Sequence, residues 1–154
     1  MATTYVEVHP QLSSVTVSGT VQVAPLVQAR STTATVTATN LAAGATANLD
    51  PTAHKGYVLY GITASHPCRV RLYTTAAART ADADRGQFQS PTANSGLIAE
   101  AIFVAAGTVN YTPAVYGYNN ENPISAVAPI AVDNTGSTTE SIDVSLTVLQ
   151  LEQD

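Results

Sequence analysis

The sequence predicts an all-β protein, a single antiparallel β-sandwich of jelly-roll or Greek-key-like type with an N-terminal arm. Apolar residues recur at every second position in several short segments, which is the period of a half-buried strand. Residues typical of turns separate seven to nine such segments, as in sandwiches and barrels. The 154 residues are enough to bury the core of one domain. We assign residues 1–12 to the arm and residues 13–154 to the sandwich.

Strand predictions in the first half of the chain rest on this alternation. Residues 15–23 (VTVSGTVQV) place four valines on one face, with Gly19 at a bulge, and residues 35–39 (TVTAT) repeat the pattern. Residues 41–51 (LAAGATANLDP) form a weak strand that ends in a turn at Asp50-Pro51. Residues 56–63 (GYVLYGIT) are apolar on both faces, which predicts a strand in the middle of a sheet.

The next segment combines a strand with the one helical signal. In residues 69–73 (RVRLY), Val70 and Leu72 face the core and the two arginines face the other way. The following TTAAARTADADRG predicts a short helical turn, with Thr75 as N-cap and Gly86 beyond the end.

Strands and turns alternate again in the second half. Residues 97–103 and 108–111 are predicted strands, and residues 112–123 (TPAVYGYNNENP) form a predicted loop. Residues 124–132 are apolar and predict a strand, with Pro129 at an edge or a bulge. A turn follows at residues 133–136. The last strand carries alternating apolar residues from Ile142 to Val148, and the change of phase at Leu149 and Leu151 predicts a bulge near its end.

Composition narrows the function classes. Only 11% of the residues are charged, and Thr, Ser, Ala and Asn take their place, which favours an exterior that contacts other protein. A net charge of −5 argues against nucleic acid as a partner. No apolar run approaches the ~20 residues that span a bilayer, so we expect no membrane partner. The start of the chain lacks the features of a signal peptide, and Cys68 is the single cysteine, which excludes an internal disulfide.

No cofactor, metal site or catalytic site is predicted. His66 and Cys68 lie two residues apart but make only two ligands, too few for a closed metal site. No serine, threonine or cysteine stands in a nucleophile motif, and no phosphate-binding loop is present, so we expect no enzyme. Asp82 and Asp84 are flanked by arginines, which lower carboxylate pKa values and suit ion pairs better than acid catalysis.

Four of the six Lys and Arg residues fall within residues 69–85. Arg69 and Arg71 share one strand face, and the turn that follows carries two acids that fold back towards them. Guanidinium groups bind carboxylates in a bidentate geometry that fixes position as well as charge. We therefore predict a structural ion-paired cluster, balanced internally or against a neighbour, with these members: Arg69, Arg71, Arg79, Asp82, Asp84 and Arg85.

The tyrosine-rich segment near the predicted loop is the candidate contact site. Its candidate residues are Tyr111, Tyr116, Tyr118, Asn119 and Asn120. Tyrosine provides a large contact area at low entropic cost, which suits a subunit interface. Aromatic faces that stack on sugar rings are an alternative use of the same residues. A third reading is a loop that only covers the end of the sandwich.

The segment RVRLYTTAAARTADADR resembles the core of a group of small tailed-bacteriophage proteins. Similar motifs precede and follow it in order: GYVLYGITASHPC, GLIAE, TPAVYGYNNENP and SIDVSLTVLQLE, so that the resemblance covers residues 56–152. Cys68 stands where such sequences often have alanine, and YGYN replaces a plainer loop. The resemblance implies a virion structural component near the tail, its tip or fibres, or on the capsid, and it supplies no catalytic residues.

The sequence thus leads to an expected function. We expect a non-enzymatic virion subunit, assembled in the host cytoplasm, whose partners are other virion proteins and copies of itself. A carbohydrate-binding module that contacts a host-surface glycan is the alternative, and a small hydrolase is a second rival.

Overall fold

A computed structural model describes residues 31–151, which form eight strands and one short helix. The elements are β1 (Ser31–Leu41), β2 (Thr46–Leu49), β3 (Gly56–Ala64), β4 (Cys68–Tyr73), α1 (Ala76–Ala81), β5 (Leu97–Phe103), β6 (Gly107–Tyr118), β7 (Ile130–Asn134) and β8 (Glu140–Gln150). The arm assigned to residues 1–12 and the strand predicted at residues 15–23 lie outside the described residues. Within residues 31–151, the single helix has six residues, and no helix meets the length and hydropathy that a membrane span requires.

The strands form two four-stranded antiparallel sheets. The first sheet has the order β1-β8-β3-β6, and the second has the order β2-β7-β4-β5. Successive strands change sheet at every connection except that between β4 and β5, which pair directly. This order is that of a jelly roll, in which two Greek-key motifs pack face to face. The predicted all-β sandwich is therefore confirmed.

The core lies between the inward faces of the two sheets. Period two places Val144 and Leu146 of β8 inward from the first sheet, and Val70 and Leu72 of β4 inward from the second, all fully buried. Their polar neighbours on β8, such as Asp143, face outward and are exposed. Burial of a side chain of this size stabilises a fold by about 1.5–3 kcal/mol, so these faces are the main source of stability.

The prediction of a loop at residues 112–123 is wrong over most of its length, because β6 continues to Tyr118. Among residues 31–151, β6 is an edge strand that pairs only with β3, and proline is tolerated at an edge because it need not donate to a second neighbour. Pro113 follows a cis peptide bond inside an irregular stretch, where the register with β3 shifts. Gly117 then pairs with Tyr57, whose ring occupies the space that a Cβ at residue 117 would need. Pro113 therefore belongs to a strand irregularity and Gly117 to a close contact with Tyr57, and neither residue forms the predicted loop.

The prediction of a strand at residues 124–132 is also wrong over its first two thirds, since β7 begins only at Ile130, directly after Pro129. Before it, residues 124–129 form a single bridge, between Val127 and Thr52. Proline is common at the start of a strand, because it cannot donate a ladder hydrogen bond. The turn predicted from residue 133 begins later, since β7 extends through Asn134.

The bulge predicted near Leu149 is also misplaced. β8 keeps its register there with β1 and with the first part of β3, while Tyr60 of β3 is the extra residue where the β3–β8 register shifts. Leu151 lies beyond β8 and is half exposed. The outward leucines at the end of β8 therefore belong to an apolar outer surface.

Several local predictions are confirmed. β5 spans the predicted residues 97–103, and β3 lies between two strands of its sheet as its two apolar faces indicate. The Thr75 side chain caps α1 by accepting a hydrogen bond from the Ala78 amide at 2.9 Å. The helix ends earlier than predicted, at Ala81 with Asp82 as its C-cap, and the residues that follow cross the outer face of the second sheet.

Candidate functional sites: an arginine cluster and a tyrosine face

The arginine cluster lies on the outer face of the second sheet. Arg69 and Arg71 alternate along β4 with core residues, so their side chains point away from the interior. They are nevertheless 3% and 1% exposed. Carbonyl groups of the segment after α1 accept hydrogen bonds from both guanidiniums, which holds that segment over them. The side chains on both faces of β4 are therefore buried.

Strand register places acidic residues beside these arginines. Asp133 of β7 pairs with Arg69, and Glu100 of β5 pairs with Arg71. The side chains then cross over: Arg69 Nε donates to Glu100 at 2.6 Å, and Arg71 Nη2 donates to Asp133 at 2.9 Å. Each arginine therefore links β4 to a neighbouring strand through a charge-assisted hydrogen bond.

Arg85 completes the cluster from the segment after the helix. Its Nε lies 2.9 Å from both carboxylate oxygens of Asp82, and its Nη2 donates to Glu100 at 2.8 Å. The Tyr73 hydroxyl donates to Asp82 at 2.6 Å. Three guanidiniums thus face three carboxylates, those of Asp82, Glu100 and Asp133, and the formal charges cancel.

Ionisation of the cluster reflects this pairing. Burial acts to raise the pKa of Asp82, but hydrogen bonds from Tyr73 and Arg85 and the charges of Arg85 and Arg71 outweigh it and lower the pKa. Burial acts to lower the pKa of Arg85, and its bonds to Asp82 and Glu100 raise it instead. Burial, and next the bond to Asp82, raise the pKa of Tyr73 to about 12. All three groups are held in the protonation state that keeps the cluster closed at neutral pH.

The cluster contains four of the six residues predicted for it: Arg69, Arg71, Asp82 and Arg85. Arg79 lies elsewhere and binds Asp50 and the carbonyl of Leu49, both at 2.8 Å. Asp84 is exposed and has no ion pair within residues 31–151.

Sequence reasoning missed Tyr73, Glu100 and Asp133 as members of the cluster. The two acids join it through strand pairing across 31 and 62 residues, from Arg69 and Arg71 respectively, and no local pattern reveals this. Tyr73 follows the arginines directly on β4, but the sequence does not show that Asp82 returns to its hydroxyl.

A cleft of about 440 Å³ opens beside the cluster, between residues 83–87 and residues 133–136. Arg69, Arg71 and Arg85 contribute to its wall. Because the carboxylates already bind these guanidiniums, the wall presents little net charge to an anion. The arrangement fixes the segment after α1 to the sheet, which agrees with the structural role predicted for it.

The tyrosine face lies on the outer side of the first sheet, at the end where β6 and β8 finish, and we define it by Val58, Leu149, Leu151, Tyr116 and Tyr118. Register aligns Tyr116, Val58 and Leu149 in one row across β6, β3 and β8. Tyr116 and Tyr118 are 60% and 42% exposed, with ring centroids 5.8 Å apart and ring planes at 29°. The face carries no charged side chain.

The other candidate contact residues make internal bonds or lie beside the face. Asn119 is buried and donates to the Val127 carbonyl at 2.9 Å, while its amide oxygen accepts from the Glu121 and Ser125 backbones. The half-buried Tyr111 donates to the Glu100 carbonyl at 3.2 Å, and Asn120 is exposed. The contact hypothesis therefore rests mainly on Tyr116 and Tyr118.

Hydroxyl groups cover the middle of the same outer face. Thr35, Ser145, Thr63 and Thr108 form one row across all four strands of the first sheet. Thr35 and Ser145 are hydrogen-bonded at 2.8 Å, as are Thr63 and Thr108. These four groups satisfy one another, and the exposed carboxylate of Asp143 beside them on β8 accepts a hydrogen bond from the Thr37 hydroxyl at 2.6 Å.

His66 and Cys68, whose spacing in the sequence was considered for metal binding, do not belong to the arginine cluster or to the tyrosine face. Within residues 31–151, no group of three His, Cys, Asp or Glu side chains is placed to hold a metal ion. Burial, and next the charge of Asp133, raise the pKa of Cys68 to about 12, which leaves the thiol unreactive. His66 contacts the neighbouring Ser65 hydroxyl at 2.9 Å, and this hydroxyl also accepts from the Asp143 backbone. Ser65 thereby ties the β3–β4 turn to β8.

Comparison with known proteins gives no match to any family model and none to a curated protein.

Proposed function

We propose that this chain is a non-enzymatic structural subunit of a tailed-bacteriophage virion, assembled in the host cytoplasm and present in many symmetric copies. Its partners are copies of itself and other virion proteins, near the tail, its tip or fibres, or as a capsid decoration. The observation that carries the proposal is the outer face of the first sheet, where a row of hydrogen-bonded hydroxyls adjoins the uncharged tyrosine face. Such a face suits contact with another protein surface.

The fold and the sequence motifs support the same function. Jelly rolls of two four-stranded sheets occur in viral capsid proteins, although a fold alone does not determine a function. The phage-like motifs between residues 56 and 152 map onto the elements that build the two sites. The RVRLY motif forms β4, the GLIAE motif supplies Glu100, and the TPAVYGYN motif carries Tyr116 and Tyr118.

Absence of enzymatic activity is part of the proposal. The arginine cluster uses its carboxylates to neutralise its own guanidiniums, so neither group is left to transfer a proton. Ser65 and His66 are in hydroxyl–imidazole contact at 2.9 Å, and the same Ser65 oxygen accepts a hydrogen bond from the Asp143 amide, which fixes it in the β3–β4 turn. This geometry favours a turn contact over a catalytic pair.

Self-association of the purified full-length chain tests the proposal. Sedimentation velocity over a range of concentrations should show a discrete larger species. Because the proposed contacts carry little charge, this species should persist when the salt concentration is raised. A chain that stays monomeric at every concentration would contradict assembly from copies of itself.

Carbohydrate binding is the second candidate, and the stacked tyrosine pair favours it. Two exposed aromatic rings 5.8 Å apart offer a platform for a sugar ring, and jelly rolls also occur in lectins. A glycan array with the full-length chain separates the two functions. If the chain binds a host-surface polysaccharide and Tyr116→Ala abolishes this binding, the carbohydrate-binding module is supported. If the chain binds no glycan, the carbohydrate-binding module is rejected and the virion-subunit proposal remains.

A further inference from the structure

The tyrosine face ends beside the point where the chain enters the sandwich. β1 begins at Ser31, which pairs with Leu149 in the same row as Val58 and Tyr116. Residues 1–30 precede Ser31 in the sequence and lie outside the described residues. The segment that leads into the first sheet therefore starts at the rim of an apolar face that no described residue covers.

Those residues contain a segment whose chemistry matches the face. Residues 15–23 (VTVSGTVQV) carry Val15, Val17, Val21 and Val23 at odd positions, with polar residues and one glycine between them. In a regular extended conformation, without the bulge predicted at Gly19, all four valines share one side. The segment carries no charge, and the tyrosine face carries none. A one-sided apolar strand needs an apolar surface to cover it.

We propose that the tyrosine face binds the valine side of residues 15–23 from a second copy of this chain. This inference rests on the proposed assembly and names the partner of its contact face. Every copy carries both halves of the contact, the valine segment and the tyrosine face. Sequential exchange from copy to copy would then link many subunits through one repeated contact, whereas reciprocal exchange would close a dimer.

Geometry favours a neighbouring copy over the same copy. Residues 24–30 can span at most about 25 Å when extended, which exceeds the roughly 14 Å across three strand spacings. The length of residues 24–30 therefore allows the valine segment to reach the tyrosine face of its own copy or that of a neighbouring copy. However, a chain that continues the direction of β1 backwards from Ser31 leaves the sheet, and it must reverse to lie on its own tyrosine face. A copy that packs against this end receives the segment without the reversal.

Crosslinking between two differently tagged full-length chains tests the inference. One chain carries Val17→Cys and the other carries Ser31→Cys, at the rim of the tyrosine face in the row of Leu149 and Tyr116, and a short bismaleimide joins thiols that lie close together. The buried native Cys68 serves as an internal control, because wild-type chains should not crosslink. We expect a heterodimeric product from this pair.

Two matched controls define the orientation and the face. Thr16→Cys places the thiol on the other side of the segment, and Thr35→Cys places it in the hydroxyl half of the same sheet face. Either replacement should abolish the product. Equal crosslinking with Thr35→Cys would overturn the specificity for the tyrosine face.

The remaining outcomes separate this inference from the proposed function. If a chain with both Val17→Cys and Ser31→Cys crosslinks only within itself, the segment belongs to its own copy and the exchange is wrong. If the wild-type chain sediments as an oligomer but the mixed pair gives no product, assembly stands and this contact is wrong. If the wild-type chain is monomeric, the proposed assembly itself fails.

Discussion

Arg71 of β4 donates a hydrogen bond to Asp133 of β7 at 2.9 Å, from a position where its side chain is 1% exposed. The pair joins adjacent strands on the face of the sheet that points away from the core. An arginine so deeply buried must be matched by opposite charge, because an unpaired buried charge costs several kcal/mol. The second sheet therefore depends on the arginine cluster for its outer cover.

Replacement of this arginine should be among the most destabilising single changes. Arg71→Met removes one cation and leaves Asp82 and Asp133 with an excess of negative charge, so we expect a loss of about 3–5 kcal/mol in the free energy of unfolding. Urea denaturation measures it. Lys55→Met, which removes a cation outside the cluster, is the control and should change stability by less than about 0.5 kcal/mol. Equal effects of the two changes would show that the cluster contributes no specific stability.

Acid should open the cluster through Asp82. Its pKa is lowered in the folded chain, so its contribution to stability is complete above the unfolded pKa, near pH 4, and is lost as pH falls through the lower folded value. The urea midpoint of the wild type should therefore drop below about pH 4 more steeply than that of Asp82→Asn. Asp84→Asn, at an exposed site without an ion pair in residues 31–151, should follow the wild-type curve.

The contact between Gly117 and Tyr57 should tolerate no side chain. A Cβ at residue 117 would lie 2.2 Å from a ring carbon of the fully buried Tyr57. Gly117→Ala should therefore destabilise the fold by about 1–3 kcal/mol, the range for an overpacked core. Gly107→Ala is the matched control at the start of β6, where a Cβ meets nothing within 4 Å. Comparable melting temperatures for the two variants would mean that the ring moves aside freely.

Removal of the two exposed tyrosine rings should affect assembly and leave the fold intact. The double variant Tyr116→Ala with Tyr118→Ala loses the protruding part of the tyrosine face but no fully buried side chain. We expect unchanged strand content by circular dichroism and a loss of the larger species in sedimentation. Phe88→Ala is the control, because this ring is 94% exposed on the segment between α1 and β5. Assembly that survives the double variant would remove the tyrosines from the interface.

Local chemistry made the sandwich predictable. Alternation along β8 and the two apolar faces of β3 fixed which residues enter the core, and Thr75 marked the start of α1. The contact of Asp82 with the arginine cluster was also predictable, because the acid and the arginines lie within one short stretch of sequence.

Long-range pairing was not predictable from one sequence. Glu100 and Asp133 join the cluster because β5 and β7 flank β4, and the jelly-roll order that places them there has no local signature. The same limit explains the error at β6. Pro113 and Gly117 resemble turn residues, but an edge position tolerates the first and the Tyr57 ring requires the second.

The presence and copy number of the chain in purified phage particles test the central claim most directly. Quantitative mass spectrometry of density-purified particles should detect it at a fixed multiple of a symmetric ring or shell, with antibody-gold label at one location on the particle. The claim is contradicted if the particles lack the chain while the infected-cell lysate contains it in free form.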